Sequence, residues 1–169
     1  MNRPMLIRFE QTGDEPLIAE LTAQAFAGLP YSDQSEHAII ARLRAAGALA
    51  VSLVAAEADA ILGHVAFSAV TINTMECGWF GLGPVSVRPD RQNQGLGGAL
   101  IRRGLEELGM RSAQGCVVLG NPGYYRRFGF AHCPGLRYPV AHADHFMALP
   151  LSAGTVPAGR VDYHPAFGE

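Results

Sequence analysis

The stretch Val85-Ser86-Val87-Arg88-Pro89-Asp90-Arg91-Gln92-Asn93-Gln94-Gly95-Leu96-Gly97-Gly98-Ala99-Leu100 decides how this chain is read. It begins as an apolar strand, passes through a tight polar loop and enters a helix. The helical pattern runs from Leu96 to Leu108, with Leu96, Leu100, Gly104, Leu105 and Leu108 inward and Arg102, Arg103, Glu106 and Glu107 outward. Gly109 is expected to end it. Glycines at such a junction let backbone approach a ligand, and the unpaired N–H groups of the helix N-terminus, aided by the helix dipole, suit an anion such as a pyrophosphate. The dinucleotide fingerprint would need a third glycine where Leu100 stands, and a P-loop would need a lysine, so neither fits. A plain turn that packs a helix closely on a sheet is the competing reading of Gly95, Gly97 and Gly98.

Outward from this segment, strands and helices alternate. Upstream, Met5 to Phe9 reads as a strand, and Thr12 to Pro16 as a helix start followed by the stripe Leu17, Ile18, Leu21, Ala25 and Phe26. Leu29 to Gln34 reads as a loop, and a second helix is expected from Ser35 to Ala46, stopped by Gly47. Leu49 to Ala56 and Ile61 to Ile72 form an antiparallel hairpin around Glu57-Ala58-Asp59. An irregular stretch with Glu76 and Gly78 then precedes a strand over Gly81 to Val87, whose ladder Pro84 weakens. Downstream, the pattern predicts a buried strand at Cys116 to Leu119, a short helix at Gly123 to Phe128, a strand from Phe130, and a sheet-closing strand over His145 to Leu151. Residues 153–169 read as an irregular tail, and the whole of 1–169 as a single mixed α/β domain of the α+β type.

Composition narrows the function. A net charge of -2 gives no general attraction to phosphate backbones or anionic membranes, so neither nucleic acid nor a membrane is expected as partner. Every basic residue is arginine, which excludes a Schiff-base lysine, a P-loop lysine and self-acetylation on lysine. Cys77, Cys116 and Cys133 lack metal-ligand spacing and suit free thiols in a reducing compartment, so a cytoplasmic location is expected.

The run Gln92-x-x-Gly95-x-Gly97 after Val85-x-Val87 resembles the acetyl-CoA-binding motif of GNAT-type N-acetyltransferases. A second segment, Leu119-Gly120-Asn121-Pro122-Gly123-Tyr124-Tyr125-Arg126-Arg127-Phe128-Gly129-Phe130, resembles that superfamily's later strand-helix unit, in which a tyrosine precedes a Gly-Phe pair. With Leu82-Gly83-Pro84-Val85 and Leu119-Gly120-Asn121-Pro122 included, the match is similar to the bacterial YhbS-like branch. The resemblance implies a GNAT fold: a mixed, mostly antiparallel central sheet with flanking helices, whose fourth and fifth strands splay so that the pantetheine arm pairs with the fourth strand. It implies acetyl-CoA as co-substrate and a primary amine of a small molecule or protein as acceptor, taken by direct transfer, in a monomer or homodimer. Val85 and Val87 would supply main-chain bonds, and Gln92, Asn93, Gln94, Gly95, Gly97, Gly98 and Ala99 would hold the pyrophosphate. Asn121 would touch pantetheine or substrate, although it lies closer to Tyr125 than the family's asparagine does. Tyr125 would protonate the leaving thiolate, with Tyr124 as pocket wall.

For the proton of the acceptor ammonium, Glu76 is the first candidate and His64 the second, each set against the plainer reading of a solvated carboxylate and a structural histidine. No metal is expected: His142, Asp144 and His145 lack further ligands at suitable spacing. Cys116 and Cys133 read as small buried residues, and Arg102 or Arg103 as helix surface within reach of a coenzyme phosphate. Three alternatives stay open on sequence alone: an acyl-CoA sensor without turnover, an interaction module, and an enzyme using a longer acyl donor.

Overall fold

The computed structural model describes residues 4–139 and 143–168. Their strands form a sheet in the order β1-β2-β3-β4-β5-β7, with an added strand β8 on β3, and the chain divides into two compact units, both of which β3 and β4 run through.

The first unit comprises residues up to 67 together with 83–104. It holds β1 (Leu6–Phe9), α1 (Glu15–Phe26), α2 (Glu36–Ala45), β2 (Val51–Glu57), most of β3 (Ala60–Ile72), the end of β4 (Met75–Val87) and the start of α3 (Leu96–Met110). β1 and β2 pair antiparallel from Leu6 opposite Ala56 to Phe9 opposite Leu53, and β2 and β3 form the expected hairpin from Val51 opposite Phe67 to Glu57 opposite Ala60. Ile18, Leu21, Ile40, Val54 and Ile61 make one apolar cluster with Leu49 packed against it. Leu17, expected in that stripe, is 41% exposed, because the buried arc of α1 is narrow and centred on Ile18 and Leu21. Gly47 sits at φ 67, and the bonds Gly47 N to Arg44 O and Ala48 N to Leu43 O close α2 in the manner expected of a C-terminal glycine. Where α3 meets β3, Gly104 lies under the ring of the fully buried Phe67, leaving no room for a Cβ.

The second unit comprises 68–82 and 105–168 among the described residues. Besides its shares of β3, β4 and α3 it holds β5 (Gly115–Leu119), α4 (Pro122–Tyr125) with a 3-10 turn at Arg126–Phe128, β6 (Leu136–Arg137), β7 (Phe146–Pro150) and β8 (Gly159–Asp162). β4 and β5 are parallel through Trp79–Gly115, Phe80–Cys116 and Gly81–Val117, while β5 and β7 are antiparallel over their full length. Val70, Ile72, Trp79, Val117, Leu136, Phe146, Ala148 and Val161 form its core. The sheet is therefore mixed and mostly antiparallel, as expected.

Several local expectations are corrected. The stretch with Glu76 and Gly78 is not irregular but belongs to β4, because Asn73 (φ 51) and Thr74 (φ 66) turn β3 directly back on itself. Gly109 does not stop α3; Ser112 at φ 59 does, with Ser112 N bonded to Gly109 O and Ala113 N to Leu108 O. Glu107, read as outward, is buried. The strand expected from Phe130 is reduced to one bridge, Ala131 with Ala148, and the short β6. The tail 153–169 is not irregular throughout: β8 pairs with Thr71 and Ile72 of β3 and in parallel with β6, burying Val161, and a 3-10 turn follows at Pro165–Phe167.

Candidate active site

In the first unit, β4 ends at Val87 and leads through a 3-10 turn at Pro89–Arg91 into the polar loop. The loop is internally tied: Gln92 Nε2 donates to Val87 O at 3.0 Å, Arg88 pairs with Asp90 at 2.6 Å, and Arg91 reaches Glu57 at 2.7 Å. Asn93 (φ 62) and Gly95 (φ 84) adopt left-handed backbone, which turns the chain into α3. Ala99 N donates to Gly95 O at 3.0 Å, so Gly95 stands at the helix threshold and the N–H groups of Gly95, Leu96, Gly97 and Gly98 have no carbonyl one turn back to bond. Amides so placed, with the helix dipole, are of the kind that suits an anion, and the two loop arginines already have carboxylate partners. Gln92, Asn93 and Gln94 are exposed; Val85 and Val87 are half-buried. The Gly83-Pro84 peptide upstream is cis.

In the second unit, the parallel ladder ends at Gly81 and Val117, although β5 continues to Leu119. Beyond it, the Asn121 side chain accepts from Gly123 N at 2.9 Å and its carbonyl from Tyr124 N and Tyr125 N, so Asn121 caps α4. Tyr125 lies over Gly120, where a Cβ would collide with its ring, and meets Tyr124 and Phe130 edge-on at 5.0 and 6.1 Å between centroids. Tyr124 carries the Arg127 guanidinium 4.5 Å above its ring.

The other candidates are placed as follows. Glu76 is exposed near the start of β4, five residues before the last parallel pair. Burial pushes the Cys116 thiol up, out of the range of a nucleophile, and Cys133 packs beside the second unit's core. Asp144 lies 3.9 Å from His145, while His142 falls outside the described residues; among those described, no group of three His, Cys, Asp or Glu could hold a metal ion.

Sequence reasoning missed a network in the first unit. Glu10 accepts from Arg44 Nε at 2.7 Å, Arg44 Nη2 at 3.0 Å and Ser52 Oγ at 2.6 Å, and Ser52 Oγ lies 2.8 Å from His64 Nε2. A cavity of about 290 Å³ opens beside it, lined by Phe9, Glu10, Arg44, Gly47, Leu49 and Ser52. Burial works against the Glu10 charge, but the bonds from Arg44 and Ser52 outweigh it and hold the carboxyl below its usual range. Burial lowers His64 to about 4 despite the pull of Glu10. The bonded pairs lie 12 to 42 positions apart along the chain, and no sequence signal joins them.

The acetyltransferase (GNAT) domain family matches residues 49–132. Over 96% of its length this chain is also 33% identical to YhbS, an uncharacterized N-acetyltransferase of Escherichia coli K12, covering 98% of that protein. The chain belongs to the GNAT acetyltransferase family. Among solved structures, this acetyltransferase is similar to a GNAT family acetyltransferase from Brucella melitensis in complex with acetyl-CoA, with 47% identity, TM-score 0.88, and 98% and 99% of the two chains covered. It is likewise similar to Escherichia coli YhbS in complex with CoA, with 30% identity, TM-score 0.89, and 100% and 94% covered. The YhbS-like branch is thus the part of the family to which the acetyltransferase is related. No described helix is long and apolar enough to cross a membrane.

Proposed function

We propose that this acetyltransferase carries the acetyl group of acetyl-CoA to a primary amine by direct transfer. The observation that carries the reading is the Val87-to-α3 junction. Its helix N-terminal amides, on a loop whose arginines are already paired, would form a cradle for the coenzyme pyrophosphate. The Brucella protein, 47% identical, was solved with acetyl-CoA, which supports assigning the same co-substrate here.

In this reading the amides from Gln92 to Ala99 hold the pyrophosphate, and Val85 and Val87 offer main-chain groups to the pantetheine arm. The neutral amine attacks the thioester carbonyl, the C–S bond breaks, and Tyr125 gives its phenolic proton to the departing thiolate. The ammonium must first lose a proton; Glu76 is the carboxylate assigned to take it, directly or through water. Asn121 contributes by setting the start of α4, which carries Tyr125. No metal takes part, since a thioester is already activated toward amines.

Calorimetric titration with acetyl-CoA, followed by thiol release across a panel of small amines and amine-bearing peptides, tests the proposal. Binding in the micromolar range with amine-dependent thiol release is expected. Binding without release from any amine would favour an acyl-CoA sensor instead.

A further inference from the structure

Two polar atoms buried in the first unit, His64 Nδ1 and Ser86 Oγ, have no hydrogen-bond partner among the described residues, and their residues are 0% and 1% exposed. They stand opposite one another. β3 and β4 are neighbours in the sheet, turned antiparallel at Asn73 and Thr74, and where β4 ends Arg88 N donates to Leu62 O at 2.8 Å. Two residues inward from that bond on each strand, Ser86 faces His64. A Cβ on Gly63 would lie 3.3 Å from the Ser86 carbonyl, which agrees with this register. The same Cβ would meet Leu96 and Leu100 of α3, so His64, next along β3, projects from the other face of the sheet, and Ser86 projects with it. Residues paired in this way hold their β carbons about 5 Å apart.

The two atoms have complementary needs. Ser52 gives its single proton to Glu10 at 2.6 Å and therefore accepts from His64 Nε2 at 2.8 Å, which leaves Nδ1 as a lone pair in want of a donor. Ser86 Oγ carries a proton in want of an acceptor. Ser68 Oγ, likewise buried without a partner, lies farther along β3 in the second unit. A water between Nδ1 and Oγ meets both needs at once: it donates to the ring nitrogen, accepts from the hydroxyl, and keeps a second proton for a carbonyl. Polar surroundings with two or more partners are what an internal water requires.

We propose that His64 and Ser86 form a binding site for one internal water, which bridges β3 and β4 by accepting from Ser86 Oγ and donating to His64 Nδ1. With it, hydrogen bonds run unbroken from Ser86 through the water, His64 and Ser52 to Glu10 and the cavity beside Arg44. Ser86 stands between Val85 and Val87, so the site ties down the part of β4 assigned above to the pantetheine arm. That consequence rests on the proposed coenzyme site. The water site itself does not, and its test needs neither coenzyme nor acceptor.

A crystal structure of the full chain, at a resolution that shows ordered water, should place a density peak about 2.7–3.2 Å from both His64 Nδ1 and Ser86 Oγ. No peak there, or Ser86 Oγ bonded directly to Nδ1, overturns the inference. In solution, nitrogen-15 in the ring of each of the six histidines reports the bond at Nδ1. Ser86→Val fills the water's place, and the His64 Nδ1 signal should move downfield to that of an unbonded lone pair. Ser86→Ala leaves room for the water, and the signal should stay where it is in the wild type. Equal movement in both variants would reveal a direct serine–histidine bond, and no movement in either would mean that nothing donates to Nδ1; each result overturns the proposal. Should Ser86→Val fail to fold, the crystal structure of the wild type decides alone.

Discussion

Ser52 Oγ stands 2.8 Å from Nε2 of His64, and this contact sets the state of the imidazole. The hydroxyl has one proton, and Glu10, a carboxylate held in its charged form, takes it at 2.6 Å. Ser52 must then accept from His64, so Nε2 carries the imidazole proton and Nδ1 is a bare lone pair. That Nδ1 is buried with no hydrogen-bond partner among the described residues. His64 is therefore a neutral histidine buried inside β3.

Acid should destabilise the fold earlier than carboxylates alone would cause. The folded His64 value is depressed to about 4 from 6.5, so the unfolded chain binds more protons in between. The contribution is fully present above pH 6.5 and is lost as pH falls toward 4. Between pH 7 and pH 5 the unfolding free energy should drop by roughly 2 kcal/mol. Urea denaturation at both values checks this, and His64→Gln should flatten the dependence in that window.

Ser52→Ala should cost about 1–3 kcal/mol, because it strips one hydrogen bond from Glu10 and leaves the His64 Nε2–H buried without an acceptor. Chemical denaturation at pH 7 gives the number. A loss under 0.5 kcal/mol would mean the chain tolerates the gap and the tautomer is not held by Ser52.

Two of the glycines of α3, Gly104 and Gly109, should respond to alanine with opposite sign. At Gly109 nothing lies within 4 Å of the new methyl, and helix propensity alone should stabilise by about 0.5–1 kcal/mol. At Gly104 the methyl would strike the Phe67 ring, and overpacking of about 1–3 kcal/mol should outweigh the same gain. Thermal melts of both variants decide between these effects.

Gly97→Val should weaken coenzyme A binding at least tenfold while the melting temperature stays within a few degrees, because a branched side chain intrudes where backbone amides must approach a pyrophosphate. Calorimetry on the folded variant is the measurement. Undiminished affinity would remove this loop from the coenzyme site.

Tyr125→Phe should slow acetyl transfer while leaving coenzyme A affinity largely intact. Proton transfer by a positioned group is typically worth about 10² to 10⁴, but a thiol of pKa near 8.5 is already a fair leaving group, so the loss should sit near or below the lower end. Tyr124→Phe should cost less. Steady-state kinetics with any amine that supports turnover, paired with coenzyme A titration, separates chemistry from binding.

The sequence by itself determined the parts of this acetyltransferase whose physics is local. Val85-x-Val87, the glycines after Gln92 and the leucine stripe of α3 each follow from backbone freedom and helical period within one short window, and they carried the family with them. Gly47 as a helix stop and the β2–β3 hairpin were legible for the same reason. Tertiary structure alone decided what depends on distant residues meeting. Met75 to Gly78 are exposed and show no alternation, so only pairing made them a strand. β8 is a strand because β3 and β6 supply its partners. Gly81 and Gly104 look like flaws in a strand and a helix until Tyr163 and Phe67 are seen to need their missing side chains. The Glu10–Ser52–His64 chain exists only once β1, β2 and β3 are in register, because burial and hydrogen bonding act through space and leave no periodic trace along the chain.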